Sequence, residues 1–126
     1  MGYSVGYCEM KINECEREIA VLEEDMATLS NIKVHSNKIY SKSKKMNSAF
    51  TKCRSSIRQT WDGTTASDLD EAVSKAFKIS DKCSSKSLKL SGDIDMVLEK
   101  LTAKKQQWIS DRLMWSRRKR EAEAEE

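Results

Sequence analysis

The chain has 126 residues, no proline, only 4 glycines, 34% charged and 38% hydrophobic residues, and a net charge of +3. Globular domains average about 5% Pro and 7% Gly, and sheets need turn residues at each strand end, so a turn-rich β fold is excluded. Collagen-like and proline-rich disordered chains are excluded too, and no segment approaches the run of about 18 apolar residues that a membrane span requires.

What remains is one domain, residues 1–126, built from long helices. Its start, Met1-Gly2-Tyr3-Ser4-Val5-Gly6-Tyr7-Cys8, lacks the basic first residues and apolar core of a cleaved signal peptide. Gly6 also stands where a myristoylation motif needs Ser or Thr. The expectation is synthesis in a cytosol, with any export by a route that has no cleaved signal.

The first predicted helix covers about 4–60. Cys8, Ile12, Cys15, Ile19, Leu22, Met26 and Leu29 alternate in steps of four and three, a heptad seam. A second register, Ile32, Ser36, Ile39, Ser43, Met46, Phe50, Cys53 and Ile57, follows after two consecutive three-residue steps. Such a slip is a stammer, a local overwinding of the supercoil. Ser36 in the seam, with Asn31, Asn37 and Lys38 close by, marks the expected weak point.

The turn is predicted at 61–65. Asp62-Gly63 supplies a left-handed residue to end the first helix, and Thr64 or Thr65 is placed to cap the next, with Ser67 and Asp68 near its first amides.

The second predicted helix covers about 66–119. Leu69, Val73, Ala76, Ser80, Cys83, Ser87, Leu90, Ile94, Val97, Leu101, Lys104, Trp108, Asp111 and Trp115 hold one heptad phase, which passes through Gly92 without a reversal. Phe77 and Leu98 flank this seam as apolar surface for a partner. The Glu-Ala tail, 120–126, is expected to fray. The fold class is therefore all-α, an antiparallel two-helix hairpin of coiled-coil-like helices.

Charge supports the fold-back. Residues 1–30 carry two basic and seven acidic side chains, whereas 31–61 carry eight basic and none acidic. A reversal at Gly63 sets position i opposite roughly 126 − i, because both helices rise about 1.5 Å per residue. The acidic start then faces residues 99–120, with eight bases and two acids.

The four cysteines (Cys8, Cys15, Cys53, Cys83) are too far apart in this hairpin for disulfides and match no zinc-ligand spacing; all four fall on predicted seam positions, as small buried hydrophobes. His35 lies beside the seam with no catalytic partner, and no paired acids or activated nucleophile occur, so neither an enzyme nor a cofactor is expected. The basic stretch 31–61 and the block Arg117-Arg118-Lys119-Arg120 read as solvated or internally paired faces, with a nucleic-acid role as the lesser alternative. Trp108 and Trp115, one heptad apart, suit the seam or a partner anchor.

Trp61-Asp62-Gly63 between two long helices, followed by Ala66 and Leu69, resembles the WXG superfamily of small helical hairpins handled by type VII secretion systems. The architecture is most similar to the helical partners of LXG-class toxins. That resemblance implies a non-enzymatic accessory or targeting protein of the bacterial cytoplasm that binds the helical N-terminal region of such an effector. It also implies a hetero-oligomer, with a second small helical protein as a further partner, and co-export as one outcome. The turn residues Trp61 and Gly63 would carry the motif; Phe77, Leu98, Trp108 and Trp115 would meet partners. One departure is plain: no Tyr is followed four residues later by an acid near the C-terminus, since Tyr3, Tyr7 and Tyr40 all lie in the first half. A self-assembling coiled-coil adaptor, including a homodimer, is the alternative reading.

Overall fold

In the computed structural model, which describes residues 2–126, the chain forms two helices, α1 (Val5–Thr60) and α2 (Gly63–Glu125). Ser4 caps α1: its Oγ accepts from the Tyr7 N–H at 3.2 Å, while its carbonyl accepts from the Cys8 N–H at 3.0 Å. At the other end the Trp61 N–H closes on the Ile57 carbonyl at 2.9 Å, and Gly63 takes a φ of 73°. That left-handed conformation costs about 1–2 kcal/mol for a residue with a Cβ, which is why glycine sits there. The two helices pack against each other as an antiparallel hairpin, the architecture that the proline-free, heptad-patterned sequence predicts.

The chain divides into two compact units. The terminal unit joins the residues up to Ser30 to Asp95–Glu126, and the turn unit is Asn31–Ile94. In the terminal unit Cys8, Cys15, Ile19 and Leu22 of α1 are buried, as is Ala122 of α2, while Leu101, Trp108 and Trp115 are half-buried. Each fully buried Leu or Ile side chain contributes about 1.5–3 kcal/mol, so this unit has an ordinary apolar seam. Glu9–Lys119 (3.3 Å) and Glu23–Lys105 (3.1 Å) cross it, each within two residues of the register deduced from the sequence.

The turn unit is built differently. Ser36, Ser43 and Asn47 of α1 and Ser80, Ser84, Ser87 and Ser91 of α2 are all buried, with Ile57 and Ile94 the buried aliphatics. Small hydroxyls bring the backbones together and bond across them: Ser36 Oγ donates to the Ser87 carbonyl at 2.7 Å, and Ser80 Oγ to the Ser43 carbonyl at 3.1 Å. Each such bond is worth about 1 kcal/mol net, so cross-helix hydrogen bonds add to the apolar burial of Ile57 and Ile94 in holding this unit.

The burial pattern corrects the expected registers. Along α1 the inward residues after Leu29 are Lys33, Ser36, Tyr40, Ser43, Asn47, Phe50, Arg54 and Ile57. The alternation of four and three continues, and the stammer is absent. Ile32, Ile39, Met46 and Cys53, expected in the seam, are exposed. In α2 the residues Val73, Ser80, Ser87, Ile94, Leu101, Trp108 and Trp115 lie inward as expected. Their alternates are Asp70, Phe77, Ser84, Ser91, Leu98, Lys105 and Arg112, one place beyond the predicted set, of which Ala76 and Asp111 are half-buried and Leu69, Cys83, Leu90, Val97 and Lys104 exposed. Serine can bury a hydroxyl that bonds to a facing carbonyl, and this outweighs putting a larger aliphatic group where the backbones approach closely.

Two boundaries also differ. The turn shrinks to Trp61 and Asp62, and among the described residues neither Thr64 nor Thr65 makes a capping bond. The tail is helical: α2 runs to Glu125, with Ala122 only 7% exposed.

Candidate functional site

In heptad letters, the seam positions of the turn unit are a (Lys33, Tyr40, Asn47, Arg54; Asp70, Phe77, Ser84, Ser91) and d (Ser36, Ser43, Phe50, Ile57; Val73, Ser80, Ser87, Ile94). In an antiparallel pair the residues just after d, position e, share one edge of the seam. Those just before a, position g, share the other.

Apart from Leu88, which is 56% exposed, the e edge is polar and bridged by contacts. Arg54 Nε bonds Asp70 Oδ1 at 3.0 Å, with Nη2 reaching Oδ2 at 3.3 Å, and Arg58 Nε lies 3.6 Å from the same carboxylate. These bonds from Arg54, foremost, hold the Asp70 carboxyl below its usual range and raise the Arg54 guanidinium in turn. Asn47 Nδ2 meets Asp81 at 3.5 Å, and Ser91 Oγ meets Asn37 Oδ1 at 2.8 Å. Phe77, proposed from the sequence as a partner contact, is half-buried in the seam here, where it lines a hollow with Thr51, Arg54 and Arg58.

The g edge is apolar. Ile32, Ile39, Met46 and Cys53 of α1 and Leu69, Ala76, Cys83 and Leu90 of α2 recur every seven residues, and all but half-buried Ala76 are exposed. Their seven-residue period reads as core in the sequence; the serine set running beside it is the signal that marks an outer row. Two of the cysteines assigned to the seam are thus surface thiols. Cys8 and Cys15 are buried, and the Cys15 thiol is pushed up by burial first and by the nearby Asp111 and Glu14 carboxylates second.

The terminal unit carries an aromatic cluster. Trp115 meets Tyr3 and Tyr7 edge-on, with ring centres 5.0 and 5.6 Å away, and the two tyrosines stack at 5.2 Å. Arg118 lies 5.0 Å from the Tyr3 ring and 4.8 Å from that of Trp115. Trp115 was expected from the sequence to be a contact residue; its tyrosine partners were not, because nothing local links residue 3 to residue 115. Arg118 and Lys119 of the basic block are engaged inside the chain, the latter by Glu9 and, at 3.8 Å, by Glu123. Trp108 and Leu98 are half-buried seam residues of this unit, Leu98 beside Asp95, Glu99 and Thr102.

At the turn, Trp61 is 51% exposed and borders a hollow with Ile57, Gly63, Ala66 and Asp70. His35 is exposed. Among the described residues no group of three or more His, Cys, Asp or Glu side chains is placed to hold a metal ion, and no helix is long and apolar enough to cross a membrane. Comparison with family models, curated proteins and solved structures yields no match.

Proposed function

We propose that this chain is a non-enzymatic accessory protein of type VII secretion, which binds the helical N-terminal region of an LXG-type effector and helps target it for export. The carrying observation is the inverted distribution of the turn unit, with serines in the seam and Ile, Met and Leu outside it. A hairpin so arranged leaves helix-packing surface for another chain, and helices of 56 and 63 residues offer it over many turns. The left-handed Gly63 after exposed Trp61 is consistent with the Trp-x-Gly motif. On this reading the protein is made in the bacterial cytoplasm, acts within a hetero-oligomer that includes a second small helical protein, and borrows any export signal from its partners.

Co-expression with the N-terminal region of a neighbouring LXG-type effector, followed by size-exclusion chromatography, tests this. The expected result is a single co-eluting complex of defined stoichiometry. Independent elution from every such effector would sink the reading.

A further inference from the structure

We infer that the g edge of the turn unit is a docking groove for one amphipathic helix whose polar flanks are acidic; this rests on the partner-binding reading and gives it a surface. Helices with apolar residues at a, d and one flanking position pack on two neighbours at once, as in a bundle, whereas a pair alone needs only a and d. Here the flanking position is the more apolar one. Ile32, Ile39 and Met46 on α1 and Leu69 and Leu90 on α2 stand 38–50% exposed in two heptad rows, with Ile79 beside them 69% exposed. A third helix laid along these rows would make them core and the serine seam one of its walls.

Charge selects the occupant. Residues 31–94 hold thirteen basic and six acidic side chains, a net charge of +7. Asp70 and Asp81 are spent on the e edge against Arg54, Arg58 and Asn47, and Glu71 pairs with Lys75 at 3.2 Å. Bordering the groove at position c are Lys42 and Lys86, with Asp93 the one acid at that position. Behind them every f position from 38 to 52 and from 75 to 89 is lysine: Lys38, Lys45, Lys52, Lys75, Lys82 and Lys89. Among the described residues only Lys75 of these six is paired with a carboxylate. A second copy would bring the same +7 against the groove, whereas an acidic helix neutralises it. Helices that lie on lipid favour Trp, Phe and Leu on their apolar face; these rows contain no aromatic residue.

The chain carries its own reporters, since Cys53 and Cys83 sit in the two rows as exposed thiols while Cys8 and Cys15 are buried. The test uses the full chain and two synthetic helices of about four heptads, with Leu at a and d and either Glu or Lys at the remaining surface positions. The Glu helix is expected to bind, to slow maleimide labelling of Cys53 and Cys83 by roughly tenfold, and to release steeply with salt; the Lys helix should do none of these. The paired variant Ile39→Asn with Leu90→Asn, checked for retained helicity, should abolish protection. Lys42→Glu with Lys86→Glu should weaken the Glu helix and admit the Lys helix.

Equal protection by both helices, or binding that survives the paired Asn variant, overturns the inference. So does protection that grows with protein concentration alone, which marks a second copy, or protection given by phosphatidylserine vesicles and not by the Glu helix, which marks a membrane surface. The two proposals fail separately. An effector that co-elutes undiminished with the paired Asn variant removes the groove and leaves the function. A Glu helix that docks on the g edge of a chain no effector binds removes the function and leaves the groove.

Discussion

Ser36 donates a hydrogen bond from its Oγ to the backbone carbonyl of Ser87, 2.7 Å away on the facing helix, and Ser91 Oγ lies 3.2 Å from the same hydroxyl. A residue that reads as a flaw in a heptad is therefore a joint between the helices. Ser36→Ala removes both the bond to Ser87 and the contact with Ser91 and is expected to cost about 1–2 kcal/mol; Ser36→Leu loses the same contacts and adds volume between the helices, for a further cost of roughly 1–3 kcal/mol. Urea unfolding midpoints of the two variants give the order directly. A Leu variant more stable than the parent would show that the seam is not closely packed.

Gly63 adopts a φ of 73°, although a Cβ there would meet nothing within 4 Å. The penalty for Gly63→Ala is thus local backbone strain, about 1–2 kcal/mol, with no added clash against side chains or more distant backbone. A D-alanine introduced by ligation should avoid it, and comparing thermal midpoints of the two chains separates handedness from size.

Asp70 gives a pH dependence of defined sign. Its carboxyl is held below the usual range by Arg54, then Arg58, so it binds a proton more readily unfolded than folded. The stabilisation is therefore present above the ordinary carboxylate pKa of about 3.9 and fades as pH falls through the lower folded value. The pair is partly exposed, with 26% of the Asp70 side chain accessible, so the effect is small and screened by salt. Asp70→Asn should flatten that part of the stability profile, measured as unfolding midpoint against pH, and should flatten it less at high ionic strength.

The thiols sort by burial. Cys53 and Cys83 should react with maleimide in the native protein within the dead time of Cys8 and Cys15, which wait for opening. For Cys15 the raised pKa slows reaction further by keeping less thiolate at neutral pH. Mass spectrometry of the labelled chain should therefore show a plateau at two adducts before four. Four adducts at one rate would contradict the assignment of the seam.

The hairpin, its reversal at Gly63 and the passage of α2 through Gly92 were legible in the sequence because each rests on backbone chemistry: no proline, one strong turn signal, an uninterrupted period. The seam was half legible. Ser36, Ser43, Ser80 and Ser87 fell on it by spacing, but Ile32 and Leu69 were drawn in by the premise that apolar residues face the partner helix. That premise fails where cross-helix hydroxyl bonds set the register, and nothing at the level of single residues distinguishes a g row from an a row. The Tyr3–Tyr7–Trp115 cluster was illegible for another reason, since it joins residues that meet only after the chain has reversed.

The unbroken alternation of four and three along both helices also constrains how the gene can change length. Inserting one residue in either arm turns everything beyond it by about 100°, which moves the serines out of the seam and carries the aliphatic rows out of line. Only gains or losses of seven, matched on the two sides of Gly63, keep both rows and seam aligned. Variants of this protein that differ in length should therefore differ in paired steps of two turns, with the turn between them unaltered.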